Sequence, residues 1–138
     1  MSPTDRPKTR TLTTGLVGRA TCVVTDDMLA TAMGSGTVPV YATPSLVALM
    51  EQAAVACVEP HLAIGEASLG LRIDAHHTAP SLPGQTVQAE ATLTAIDGRK
   101  LILAIEARTS TELIGTATHT RVVVDVTRFL AKLAAKSP

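Results

Sequence analysis

One segment of the chain constrains its fold more than any other. Thr43-Pro44 is followed by the run SLVALMEQAAVACV, and Pro60 closes the run. Threonine is a good helix N-cap, and proline fits the first helical position, where its missing N–H costs nothing. The pattern predicts a helix over residues 44–59, about 24 Å long at 1.5 Å per residue. Because this helix is apolar nearly all round, we expect other elements to bury it.

The rest of the chain mainly has strand patterns. Thr/Val-rich composition or alternation of apolar and polar residues marks the strand candidates, which are 11–24, 68–79, 85–96, 100–109 and the long run that begins at Leu113. Asp97-Gly98 is a hairpin signal between two of them. Short helices are expected after Thr25 and after Thr127, with each threonine as the N-cap.

Antiparallel strands that follow one central helix indicate an α+β fold. We expect an antiparallel sheet of about five strands wrapped around the long helix, in a single domain over residues 11–138 that follows a flexible segment over residues 1–10. One such chain leaves a sheet edge exposed, and edges invite pairing. A homodimer with a continuous sheet is therefore expected.

Composition excludes several partners. The 138 residues carry 12 basic and 12 acidic side chains, whereas a nucleic-acid binder has a basic patch. The same balance argues against an anionic membrane surface, and an aromatic fraction of 1% argues against stacking on bases. Cys22 and Cys57 form no zinc or redox motif, and free thiols fit a cytoplasmic location. No segment resembles a secretory signal or a membrane span.

Three residues could carry chemistry, and each has a structural alternative. Glu51 is the only charge between Pro44 and Val58, so its carboxylate either forms a structural ion pair or serves as a functional group. Thr43 could be a helix cap alone, or it could also act where helix N–H groups favour an anion. His76 and His77 are adjacent on a strand and must face opposite sides, so only one of them can enter a given pocket.

Several motifs together resemble a known family. These are A-T-x(7)-E at the helix start, S-L-G-x(6)-H in the next strand, the turn P-G-x-T-V and the late G-T-x-T-H-x-R. With these motifs in this order, the chain from about residue 38 to residue 132 resembles the hotdog-fold thioesterases. It is most similar to the fluoroacetyl-CoA thioesterase group. The resemblance implies hydrolysis of a short-chain acyl-CoA by a dimer, without metal or cofactor, CoA being part of the substrate.

The resemblance also implies roles for individual residues. Thr43, Glu51 and His77 match the family's catalytic threonine, glutamate and histidine. Gly70 matches the position whose backbone amide contacts the thioester carbonyl, and Arg121 matches an arginine near the substrate and CoA. His119 shares a strand face with Arg121 but has no assigned role.

The chain departs from the family before the long helix. The fluoroacetyl enzymes carry an aromatic lid there, but the matching position is Thr37, and Tyr41 is the nearest aromatic side chain. We take Tyr41 as a substrate-binding residue and expect poor discrimination between fluoroacetyl-CoA and acetyl-CoA. A non-catalytic acyl-CoA or small-ligand binding module on the same fold is the alternative, because a fold does not fix a function. A hydratase is less favoured, because its usual acid–histidine pair does not precede the helix.

Overall fold

The computed structural model describes residues 6–137 and contains five strands and three α-helices. In chain order these are β1 (Val17–Val23), α1 (Ala30–Met33), α2 (Thr43–Val58), β2 (Glu66–His77), β3 (Thr86–Asp97), β4 (Lys100–Arg108), β5 (Leu113–Asp125) and α3 (Val126–Lys136). Single 3₁₀ turns precede α1 and follow α2.

The five strands form one antiparallel sheet in the order β1-β3-β4-β5-β2. This confirms the predicted α+β architecture of a five-stranded sheet with one long helix. Strands β1 and β2 lie at the two edges. β2 pairs with β5 on one side only, and its pairing is interrupted by a bulge in which Leu71 is the extra residue between Gly70 and Arg72.

Helix α2 packs against the sheet through one face. Its buried residues, all on that face, are Leu46, Leu49, Met50, Ala53, Ala54, Cys57 and Val58. β1 crosses so close to the helix that a Cβ on Gly18 would overlap the backbone of Ala53 and Cys57. The opposite face, which includes Ala48 and Val55, is exposed in the single chain. Burial is thus less complete than the apolar sequence predicts, because the sheet covers the helix from one side.

Two predicted helix caps are wrong. Ala42, not Thr43, is the N-cap of α2, and Thr43 is the first helical residue. The side chain of Thr43 makes no cap hydrogen bond because its hydroxyl is engaged outside the helix. At α3 the cap is Asp125, whose carboxylate accepts a hydrogen bond from the backbone N–H of Arg128. Asp125, two residues before Thr127, therefore takes the place of the predicted cap.

The N-terminal strand is shorter than predicted. β1 begins at Val17 because Gly15, with φ 94°, turns the preceding chain. Within the segment expected to be flexible, residues 1–5 lie outside the described part. Arg10 forms an ion pair with Glu66 (2.7 Å), and Arg6 donates to the backbone carbonyl of Glu66. The flexibility of this segment stays a prediction. Among residues 6–137, no helix combines the length and apolarity needed to cross a membrane.

Candidate active site

The start of α2 and the end of β2 bring Thr43 and His77 together. Thr43 Oγ1 lies 2.9 Å from His77 Nδ1, a hydrogen-bonding distance. His76 points the other way and is exposed, with its Nε2 3.4 Å from Asp74 Oδ1. The strand alternation predicted from sequence therefore separates the two histidines, and only His77 joins this group. We call Thr43 and His77 the Thr43–His77 pair.

The surroundings of His77 favour its neutral form. Its second ring nitrogen, Nε2, is buried and has no hydrogen-bond partner among residues 6–137. Its ring also meets the ring of Tyr41 edge-on, at a centroid distance of 6.4 Å. Burial lowers the pKa of His77 below its usual 6.5, because the charged imidazolium loses its hydration. A neutral imidazole can accept a proton at neutral pH.

The Thr43–His77 pair opens into a cavity of about 290 Å³. Tyr41 forms part of its inner wall, and Ser35 lies at the rim. Tyr41 is almost fully buried, and its hydroxyl donates to the backbone carbonyl of Ser45 at 3.2 Å. Burial also raises the pKa of this phenol, so it stays a hydrogen-bond donor. Tyr41 is thus a fixed wall, whereas the segment around Thr37 is exposed and carries small side chains.

A second group of functional candidates lies farther along α2. Glu51 Oε2 is 3.6 Å from Arg121 Nη1, and the position of a Cβ on Gly70 would be only 2.8 Å from the same oxygen. His119 completes the group, because its ring lies beside Gly70 and Arg121. We call these four residues the Glu51 cluster. The Glu51 side chain keeps 44% of its surface exposed, whereas Arg121 keeps 6%.

Arg121 is held inside the protein, although arginine on a strand is more often solvated. Its Nε donates to Ser68 Oγ at 2.7 Å, and its Nη2 donates to the Ser68 carbonyl at 2.9 Å. Nη1 faces His119 Nε2 at 3.1 Å and also Glu51. The guanidinium is therefore directed at Glu51 from within the sheet. Sequence reasoning missed Ser68 and left His119 unassigned, although the two-residue spacing of His119 and Arg121 places them on one strand face.

The two groups are separate within one chain. Thr43 and Glu51 are eight residues apart on α2, which corresponds to about 12 Å along a helix axis. Glu51 lines a different cavity, of about 180 Å³, together with Gly70 and His119. The chain thus brings Thr43 to His77, and Glu51 to Gly70 and Arg121, but it does not unite the predicted Thr43, Glu51 and His77.

An antiparallel sheet packed on one long helix is the architecture of the hotdog fold, and a hydroxyl–imidazole pair at the helix start suits a thioesterase on that fold. Comparison with known proteins agrees. The family model described as fluoroacetyl-CoA-specific thioesterase matches residues 24–127. A fluoroacetyl-CoA thioesterase from Streptantibioticus cattleyicolor is 41% identical over 99 residues, which are 72% of this chain and 71% of that protein.

Solved structures extend the match over most of the chain. The structure of the fluoroacetyl-CoA thioesterase FlK superposes with a TM-score of 0.85 at 33% identity, covering 92% of this chain and 98% of that one. A hot-dog-like protein from Thermanaerovibrio acidaminovorans shares the fold, with a TM-score of 0.83 at 22% identity over 91% and 93% of the two chains. The chain therefore belongs to the fluoroacetyl-CoA-specific thioesterase family, and it is a thioester hydrolase.

Proposed function

We propose that the protein hydrolyses a short-chain acyl-CoA to the free acid and CoA, without a metal ion, using Thr43, His77 and Glu51. The observation that carries the proposal is the 2.9 Å contact between the Thr43 hydroxyl and the His77 ring at the mouth of a cavity. Structures of a related fluoroacetyl-CoA thioesterase include complexes with acetyl-CoA and with fluoroacetate and CoA. Acyl-CoA is thus the substrate class supported by the family.

Hydrolysis of a thioester needs a nucleophile, a base and stabilisation of the oxyanion. His77, neutral because it is buried, is suited to take the proton from the Thr43 hydroxyl or from a water beside it. Thr43 occupies the first position of α2, where the backbone N–H groups of the helix favour negative charge. Thr43, Glu51 and a water all remain candidate nucleophiles.

The separation of the two groups supports a homodimer with shared sites. β2 is an edge strand, and Leu69 and Leu71 are exposed on it. Antiparallel pairing of β2 with its copy about a two-fold axis would place His77, at the end of one strand, opposite the first half of the other. Gly70 lies in that half, and the carboxylate of Glu51, on α2, lies beside Gly70. Each site would then combine the Thr43–His77 pair of one protomer with Glu51 of the partner subunit.

The acyl cavity supports a small substrate. Its volume of about 290 Å³ has to hold the acyl group and the thioester together, and Tyr41 closes its inner end. Gly34, Ser35 and Gly36 precede Thr37 in the segment at its rim, so no bulky side chain covers the entrance there. Arg121, through its ion pair, acts on Glu51 more directly than on CoA. We also propose a cytoplasmic location, on the basis of the two free cysteines.

The experiment that tests this function is hydrolysis of a panel of acyl-CoAs from acetyl to octanoyl, with free CoA followed by a thiol reagent and EDTA in a parallel series. We expect the protein to hydrolyse the short-chain acyl-CoAs both with and without EDTA. Thr43→Ser should stay active and Thr43→Val should be inactive yet folded, since the Thr43 hydroxyl caps no helix. Binding of acyl-CoA without release of CoA would instead favour the non-catalytic module.

A further inference from the structure

His119 makes two hydrogen bonds inside the sheet that the proposed reaction leaves unexplained. It is 1% exposed, on β5, yet both of its ring nitrogens have partners. Nδ1 lies 2.7 Å from the backbone carbonyl of Arg72, and Nε2 lies 3.1 Å from Arg121 Nη1. Buried polar groups on a sheet are costly unless they are satisfied, so a hydrophobic residue would be the simpler choice here.

These two partners define the protonation state and the tautomer of the His119 ring. A carbonyl oxygen can only accept, so Nδ1 carries the proton and donates to Arg72. Nε2 then accepts from Arg121, because an arginine N–H can only donate. Burial lowers the pKa of His119, which keeps the ring in this neutral form. The imidazole is therefore a fixed bridge between a strand carbonyl and a guanidinium.

Both hydrogen-bond partners of the His119 ring connect it to the Glu51 cluster. The Arg72 carbonyl belongs to the residue directly after the bulge in β2, and Gly70 directly precedes that bulge. Arg121, at the other end, faces Glu51. The two anchors supplied by Ser68 fix Nε and Nη2 of Arg121, and His119 supplies the polar contact that orients Nη1.

We propose that His119 is a positioning residue, which holds Arg121 against Glu51 and fixes the bulge that places Gly70. It touches neither the Thr43–His77 pair nor the cavity beside that pair. This inference rests on the proposed function, because it assigns His119 an effect on turnover through Glu51.

Two substitutions of His119 distinguish the contributions of its two hydrogen bonds. In His119→Asn, the amide nitrogen lies near the place of Nδ1, so the donor to Arg72 can remain while the acceptor for Arg121 is lost. In His119→Leu, both bonds are lost. Val87→Ala is the matched control, since Val87 is fully buried in β3 and lines neither the cavity of the Thr43–His77 pair nor that of Glu51. Its truncation should destabilise the protein without removing a contact of His119.

We expect His119→Asn to lower kcat by roughly 10- to 100-fold, the range for losing a hydrogen bond to a charged group, with KM changed less than about twofold. His119→Leu should lose at least as much. Val87→Ala should keep wild-type kcat per folded molecule. A wild-type kcat in His119→Asn would overturn the proposal, and so would a loss equal to that of Val87→Ala.

Amide hydrogen exchange supplies a measurement that does not depend on activity. In His119→Leu the amides of Leu71 and Arg72 should exchange faster than in the wild type, whereas in Val87→Ala they should not. Unchanged exchange would refute the role of His119 at the bulge. If the wild type failed to hydrolyse any acyl-CoA, the proposed function would fail, and the exchange experiment would still decide whether His119 holds the bulge.

Discussion

A mixing experiment distinguishes a site shared between protomers from a site within one chain. His77→Ala removes the proposed base of the Thr43–His77 pair, and Glu51→Gln removes the negative charge of the Glu51 side chain while keeping its size. Each homodimer should be inactive. In a mixed dimer with shared sites, one site receives His77 from one chain and Glu51 from the other, and is complete. The second site lacks both.

The expected recovery follows from this geometry. Random exchange of protomers gives mixed dimers in half of the population, each with one complete site of two, so about a quarter of wild-type activity should return. Loss of a general base costs about 10²- to 10⁴-fold, so the mixture should exceed His77→Ala alone by about 25- to 2,500-fold. The assay is CoA release after the two variants are unfolded together in mild denaturant and refolded, with dimers verified by light scattering.

A control pair makes the result specific. His77→Ala mixed with Thr43→Val should recover nothing, because both residues belong to the same half of the site. No recovery in the first mixture, despite mixed dimers demonstrated by differently tagged chains, would refute the shared site and place the reaction within one chain. Recovery in both mixtures would refute the assignment of Thr43 and His77 to one half.

Further outcomes are expected from the same geometry. His77→Ala should reduce kcat by about 10²- to 10⁴-fold, whereas His76→Ala, whose side chain faces away, should change it less than about threefold in the same assay. Because burial lowers the pKa of His77, the base stays neutral on mild acidification, and kcat/KM measured against pH should fall only below the usual histidine value of 6.5. Gly70→Ala should fold with an unchanged melting temperature yet lose turnover, because the new methyl group meets the end of the flexible Glu51 side chain. With Thr37 in place of a lid, kcat/KM for fluoroacetyl-CoA and acetyl-CoA should differ less than about tenfold; a large preference for the fluorinated substrate would contradict the open entrance.

The sequence predicted the scaffold well because its signals are local. The Thr-Pro start, the apolar run and Pro60 define α2 to within a residue, and period-2 alternation with Asp97-Gly98 defines the hairpin of β3 and β4. The same alternation correctly predicted that the side chains of His76 and His77 point to opposite sides of the strand. Each of these patterns reflects the geometry of one helix or one strand, so the residues of that segment are enough to predict it.

The interior network could not be predicted in the same way. Ser68 and Arg121 meet only because β2 pairs with β5 in one register, and that register includes the bulge after Gly70. Arginine on a strand is usually solvated, so composition pointed away from its burial. The contact between Ser68 and Arg121 joins residues 53 positions apart, so it depends on strand pairing and not on a local pattern.

Thr43 illustrates how a correctly predicted helix can leave the contacts of one side chain unpredicted. Its residue type and the following proline favour a cap, yet the cap position falls one residue earlier, on Ala42, which has no side chain able to accept a hydrogen bond. A polar cap at residue 42 would contribute about 1 kcal/mol to the helix. The chain lacks that contribution, and Thr43, inside the first turn, places its hydroxyl 2.9 Å from His77 Nδ1. The helix start at Thr43 thus permits the Thr43–His77 contact and leaves α2 without a side-chain cap.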